Sequence, residues 1–128
     1  MKLLLDTHTF IWWDSDPNRL SQQALALLQD QKSILLLSVT SIWEMQIKTQ
    51  LGKLKLNLPL AEIVESQQRT NKIEILPITQ AHAFALDNLL ILHKDPFDRM
   101  LVAQANVEDA VLVTSDPIIA QYPVKHVW

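Results

Sequence analysis

Cysteine is absent from the 128 residues, which removes disulfides, thiol nucleophiles and thiolate zinc sites together and suits a reducing compartment. Any chemistry must then use oxygen and nitrogen groups. Glycine occurs once, as Gly52. Phosphate-cradling loops and dinucleotide-binding turns need several glycines, so nucleotide-cofactor folds of those kinds are excluded. Apolar runs such as Ile34 to Leu37 and Leu89 to Leu92 fall far short of the roughly 20 residues a helix needs to cross a bilayer. The opening Met1-Lys2-Leu3-Leu4-Leu5 meets Asp6 too soon for a signal peptide, so a cytoplasmic protein with no membrane span is expected. An excess of positive charge is also missing. The formal net charge of -3 does not suggest a strongly basic nucleic-acid binder, although net charge says nothing of how charge is spread over the faces.

What is present is enough apolar material to fold. Hydrophobic residues make up 48% of the chain and charged ones 20%, a balance that can offset the entropy of ordering. The length suits one domain spanning residues 1–128.

Lys2 to Leu5 reads as a short buried strand stopping at a carboxylate, with a helix carrying Phe10 and Trp13 behind it. A second helix is expected from Ser21 to near Asp30, and a strand over Ser33 to Ser38. Ser41-Ile42-Trp43-Glu44 has the form of a capping box, predicting a helix from about Ser41 to Leu51 closed by Gly52 in the left-handed conformation. Lys53 to Leu58 alternates with period two and precedes a helix that opens near Pro59 and ends near Thr70. Ile73 to Leu76 predicts a strand, and Ala85, Leu89 and Leu92 predict one long helix over Thr79 to Leu92. Asp95-Pro96 pairs an N-cap with proline in the first turn, opening a helix that presents Phe97, Leu101 and Ala105 inward. Ala110 to Thr114 is a further strand. Asp116-Pro117 repeats the cap signal for a short last helix, and Val124 to Val127 can add an edge strand. Short buried strands separated by helices imply a three-layer α/β fold, its mainly parallel sheet of four to five strands flanked by helices.

Ligands of open α/β sheets bind outside the carboxyl ends of the strands. Asp6 and Asp116 follow strands directly, Glu44 lies one helical turn beyond another, and Asp98 sits in the first turn of a helix expected to start at the same edge. Taken singly, each of these acids reads as a helix cap. Taken jointly, they form a cluster whose mutual repulsion a hard divalent cation would relieve. Oxygen ligands suit Mg²⁺ or Mn²⁺, ions that acidify a bound water and neutralise charge on a phosphate under attack. Asp95, followed by proline, is a supporting residue at most. Thr114 can orient a carboxylate or a water, with an ordinary strand residue as an equal reading. His8 follows the first acid and His93 precedes the helix of Asp98, which allows either a place near the site, but both read as loop or packing residues because no metal-binding histidine spacing occurs. Trp12, Trp13, Trp43 and Phe97 are expected in the core or a dimer interface rather than as base-stacking platforms. Lys48, Lys53, Lys55, Lys94 and Arg99 can contact phosphates, although scattered surface charge explains most of them equally well.

Four passages together resemble the VapC-type toxins of the PIN-domain ribonucleases: Leu4-Leu5-Asp6-Thr7-His8; Ser41-Ile42-Trp43-Glu44 with Lys48 and Leu51-Gly52-Lys53; His93-Lys94-Asp95-Pro96-Phe97-Asp98-Arg99-Met100-Leu101; and Thr114-Ser115-Asp116. The resemblance spans essentially the whole chain. It implies a site of Asp6, Glu44, Asp98 and Asp116 holding Mg²⁺ or Mn²⁺, with Thr7, Asp95 and Thr114 around it. It also implies endonucleolytic RNA cleavage, a homodimer, and a cognate antitoxin of VapB-like or similar kind that blocks the site. Asp95 and Asp98 lie one turn apart and either fits the third place. Asp98 is taken, because it precedes the apolar Met100-Leu101-Val102-Ala103.

Three other readings compete. An aspartyl-nucleophile phosphatase wants a second aspartate where His8 stands. A phospho-acceptor receiver keeps its acceptor after a middle strand. A PIN-like module that binds RNA or protein without cutting is the serious alternative, and the presence of all four acids argues against it.

Overall fold

The computed structural model describes residues 1–128. Its strands are β1 (Lys2–Leu5), β2 (Ile34–Ser38), β3 (Glu74–Leu76), β4 (Val111–Val113) and β5 (His126–Val127). They form one sheet in the order β3-β2-β1-β4-β5, and every neighbouring pair is parallel. The helices are α1 (Thr7–Ser15), α2 (Gln22–Gln29), α3 (Val39–Gln50), α4 (Leu60–Thr70), α5 (Gln80–Ala85) and α6 (Pro96–Glu108). None is long and apolar enough to cross a membrane.

The period of two along each strand divides the core. Leu3, Leu5, Leu35, Leu37 and Val113 pack with Phe10, Ala24, Leu28, Met45 and Ile63 on one side. Leu4, Leu36 and Leu112 pack with Leu101, Val102, Ala105, Ile119 and Tyr122 on the other. β1 is therefore apolar at consecutive positions, because both of its faces are covered. The three-layer α/β expectation holds.

Several local expectations do not. α3 starts at Val39 rather than Ser41, and its cap is Ser38, whose hydroxyl accepts the N–H of Thr40. Ser41 and Glu44 thus lie inside the helix, and their side chains meet Thr7 instead of closing a capping box. Gly52 does take the left-handed conformation, at φ 71°.

The long helix expected over Thr79 to Leu92 ends early: α5 stops at Ala85, and a single 3-10 turn follows over Leu86–Asn88. Leu89 packs partly on the core but Leu92 is 39% exposed, so the apolar spacing there does not report one continuous buried stripe. The Tyr122 hydroxyl lies 3.1 Å from the N–H of Leu92 and 2.9 Å from that of His93. It thereby satisfies in extended chain two donors that a helix would have paired internally. The cap at Asp116 is followed by only a 3-10 turn, Ile119–Gln121. Trp43 is 56% exposed and stands edge-on to Phe97 at 5.1 Å between ring centres, which leaves, of the two places expected for it, the interface rather than the core.

Leu4 is fully buried in the central strand. Leu4→Ala is expected to lower unfolding free energy by roughly 2–5 kcal/mol through lost burial and the cavity left behind. Urea unfolding should show a lower midpoint with an unchanged slope.

Candidate active site

Because the strands run parallel, the ends of β1, β2 and β4 face one edge. The order reverses at β1, which has β2 on one side and β4 on the other, and a crevice forms where successive connections part. Asp6 closes β1 and caps α1, accepting the N–H of Thr9 at 2.8 Å. Thr9 in turn donates its hydroxyl to the Val113 carbonyl at 2.8 Å, tying the start of α1 to β4.

Asp6 is 5% exposed. Burial pushes its carboxyl above the ordinary value, partly countered by hydrogen bonds from Thr114 and Thr9. Thr114 also accepts the N–H of Asp116 at 3.0 Å, so one buried hydroxyl serves the acids that follow β1 and β4. Glu44, in the second turn of α3, is 2% exposed. Its Oε1 accepts from Thr7 Oγ1 at 2.6 Å, and its Oε2 forms an ion pair with Lys48 one turn on. Burial works against the charge of Lys48, but Glu44 beside it, and Asp95 and Asp98 further off, raise its pKa above the ordinary value.

Asp98 records the convergence most directly. Its carboxyl is raised from 3.8 to about 7, first by burial, then by the negative charges of Asp95 and Glu44, with Asp6 adding to them and His93 opposing. Residues from three separate helix starts therefore act on one group. Asp95 itself faces its own helix, accepting the N–H groups of Phe97 at 2.8 Å and Asp98 at 3.3 Å. Asp116 caps the turn after it by accepting the N–H of Ile118 at 2.8 Å. Partial burial opposes its ionisation, but hydrogen bonds from His93 and from the Ile118 and Ile119 backbone hold it below the ordinary value.

His93 lies in the loop and near the acids, as the sequence allowed, but does more there than pack: its Nε2 lies 3.0 Å from Asp98 Oδ2 and 3.0 Å from Asp116 Oδ2. Its Nδ1 accepts the N–H of Asp95 at 3.3 Å, which leaves Nε2 to carry the proton of the neutral ring. Ligand atoms of His93, Asp98 and Asp116 all lie within 4.8 Å of one another. Tyr122, whose hydroxyl fixes the backbone of Leu92 and His93, was missed. The only signal for the part either plays was the position of His93 just before the Asp95 cap.

Of the expected phosphate contacts, Lys48 is at the acids. Lys94 is exposed. Arg99 turns back to the Leu89 carbonyl at 3.5 Å and keeps its Nε buried without a partner.

The family model for the PIN domain matches residues 3–125. The chain belongs to the PIN domain family. This PIN domain is 28% identical over 115 residues to Ribonuclease VapC22 of Mycobacterium tuberculosis, a match covering 89% of this chain and 86% of that protein. Among solved structures it is similar to VapBC2 from Rickettsia felis bound to a DNA fragment from their promoter, with a TM-score of 0.74, 18% identity, and 99% and 98% of the two chains covered. VapBC-1 from nontypeable Haemophilus influenzae gives a TM-score of 0.65 at 16% identity, with 99% and 97% covered. At such identities these two matches speak for the fold. The family expected from the four sequence passages is thus met.

The raised Asp98 pKa carries a stability consequence. Between 3.8 and about 7 the folded chain holds a proton that the unfolded chain has lost, so stability is greatest below that window and falls as pH rises through it. With divalent ions chelated, Asp98→Asn is expected to flatten this fall. Above the window it should stabilise the chain by about 1–2 kcal/mol, allowing for solvent screening. Thermal melts across the pH range check both.

Proposed function

We propose that this PIN domain is a VapC-type endoribonuclease that depends on Mg²⁺ or Mn²⁺ and is held in check by a cognate antitoxin. The observation that carries the reading is the meeting of Asp98 with Asp116 and His93, whose ligand atoms lie within 4.8 Å of one another, where Asp95, Glu44 and Asp6 also push the Asp98 carboxyl up. Carboxylates crowded to the point of retaining a proton near neutrality make a site that a hard cation would fit. Asp6, Glu44, Asp98 and Asp116 would hold it. The chemistry such a cation supplies when bound is acidification of a water and neutralisation of charge building on phosphorus.

The chain's own groups prepare that site. Thr7 and Lys48 fix the two oxygens of Glu44 in different directions. Thr114 orients Asp6 and the backbone of Asp116. Asp95 holds the first turn of α6, so that Asp98 is presented at a fixed height. His93 spans Asp98 and Asp116 through its Nε2. An RNA substrate and an antitoxin partner follow from the likeness to Ribonuclease VapC22 and the VapBC structures. A homodimer is supported by Phe84, Leu90 and Ile91, large apolar side chains close in sequence that are 71%, 68% and 80% exposed.

RNA cleavage by the purified chain should require Mn²⁺ or Mg²⁺ and stop with chelator. Asp6→Asn should cost roughly 100-fold or more, beyond the usual loss for a supporting residue. Activity that survives chelation or Asp6→Asn overturns the mechanism.

Asparagine caps helices about as well as aspartate. Asp95→Asn should therefore cost about 10-fold or less, while Asp98→Asn approaches the Asp6→Asn loss. The reverse order in the same assay would make Asp95 the third acid. Light scattering of the purified chain should give twice the chain mass.

A further inference from the structure

Beside the acids lies a pocket of about 420 Å³ lined by Thr7, His8, Ile11, Trp12, Arg19, Lys48, Lys53 and Leu54. No acid lines it, although the chain as a whole is net negative at -3. It adjoins the carboxylates through two of its own wall residues, since Thr7 and Lys48 both bond Glu44. Lys48 is spoken for by that ion pair. Arg19 and Lys53 form no ion pair, and both are exposed.

The aromatic side of the pocket is an exposed ring backed by a half-buried one. His8 is exposed, with its ring centre 5.8 Å from that of Trp12 and tilted by 45°. Trp12 is held from behind by Trp128, edge-on at 5.8 Å. The Arg19 guanidinium sits 4.6 Å from the centre of the Trp12 ring, which keeps that cation at the pocket wall without neutralising it. Free cations beside an accessible ring are the chemistry that receives a nucleotide: the charge takes a phosphate and the ring takes a base face.

We propose that this pocket binds one nucleotide of a single-stranded RNA next to the scissile phosphate, with its base on the exposed His8 ring, which Trp12 backs, and its phosphate on Arg19 and Lys53. The inference rests on the ribonuclease reading and adds to it a place where the strand is gripped. It also answers a difficulty posed by the acids, which repel an RNA backbone. A cationic wall on the far side of Thr7 and Lys48 supplies the attraction that the carboxylates lack. An acidic peptide would use the cations but not the rings, and that difference decides between the two occupants.

The test is fluorescence anisotropy of a labelled mixed-sequence single-stranded RNA 12-mer, titrated with the full chain carrying Asp6→Asn so that cutting does not interfere. Adding Arg19→Ala with Lys53→Ala should weaken binding roughly 10-fold at low salt and make the salt dependence shallower by about 1–2 in slope. Arg19→Lys, which keeps the charge, should restore most of its share. His8→Ala should weaken binding by about 5-fold or more without changing the salt slope, and His8→Phe should not. Melting curves confirm that each variant is folded, and Mn²⁺ titration calorimetry of the same variants with Asp6 restored should match the wild-type chain.

Affinities within twofold of the parent for every variant overturn the proposal. Loss with the cations but none with His8→Ala also overturns it, in favour of an anion-binding face for acidic peptide. Failure of the wild-type chain to cut RNA with Mn²⁺ would strike the ribonuclease reading, while the binding measurements, made without cleavage, would still judge the pocket.

Discussion

Bringing Asp6, Glu44, Asp95 and Asp98 to one edge of a sheet costs folding free energy, because each ionised carboxyl raises the cost of ionising the next and burial raises it further. Asp98 registers that conflict by holding its proton to about 7. The rest of the molecule can be understood as what is needed to hold this arrangement. A parallel sheet sends all its strands out at the same edge, and a sheet buried on both faces gives those ends a rigid base. Leu3, Leu4 and Leu5, all without exposure, lead directly into Asp6.

Around the acids the chain places groups that ease the conflict without removing it. Lys48 takes up one oxygen of Glu44, and His93 spans Asp98 and Asp116. Thr7 and Thr114 donate neutral hydrogen bonds, which lower the cost of a carboxylate and leave its charge in place. The supports are themselves supported. Tyr122, buried in the core beneath α6, fixes the backbone on which His93 stands. Ser38, whose hydroxyl caps α3, donates to Gln104 of α6, as Thr40 does, so the helices bearing Glu44 and Asp98 are locked to each other through one buried amide. Such a network fixes relative position, which is what a site assembled from distant segments requires.

Much of the scaffold was legible because its signals are local. Short apolar runs, Asp-Pro pairs and Gly52 each report the conformation of their own few residues, and β1, α6 and the Gly52 turn came out as read. The acids were legible for a related reason: a polar residue ending an apolar strand must lie at the sheet's edge. The misreadings share one cause. Ser41 and Glu44 have the spacing of a capping box, but Ser38 had the better geometry and Thr7 offered both side chains a partner from another helix. Leu89 to Leu92 has helical apolar spacing, but the hydroxyl of Tyr122, thirty residues away in the chain, holds the backbone extended. Competition from a distant partner leaves no trace in a local pattern.

The sequence by itself determined the alternation of short buried strands and helices, the family, and which carboxylates end the strands, because backbone preference and apolar periodicity are properties of neighbouring residues. Only the tertiary structure decided that His93 joins Asp98 to Asp116, that Thr7 and Lys48 divide the oxygens of Glu44, that Arg99 turns away, and that Asp98 keeps its proton near neutrality. Those facts depend on distances between segments and on what excludes water from each group. Charge and hydrogen bonding act through space, and the chain order does not encode that space until the sheet has brought its ends together.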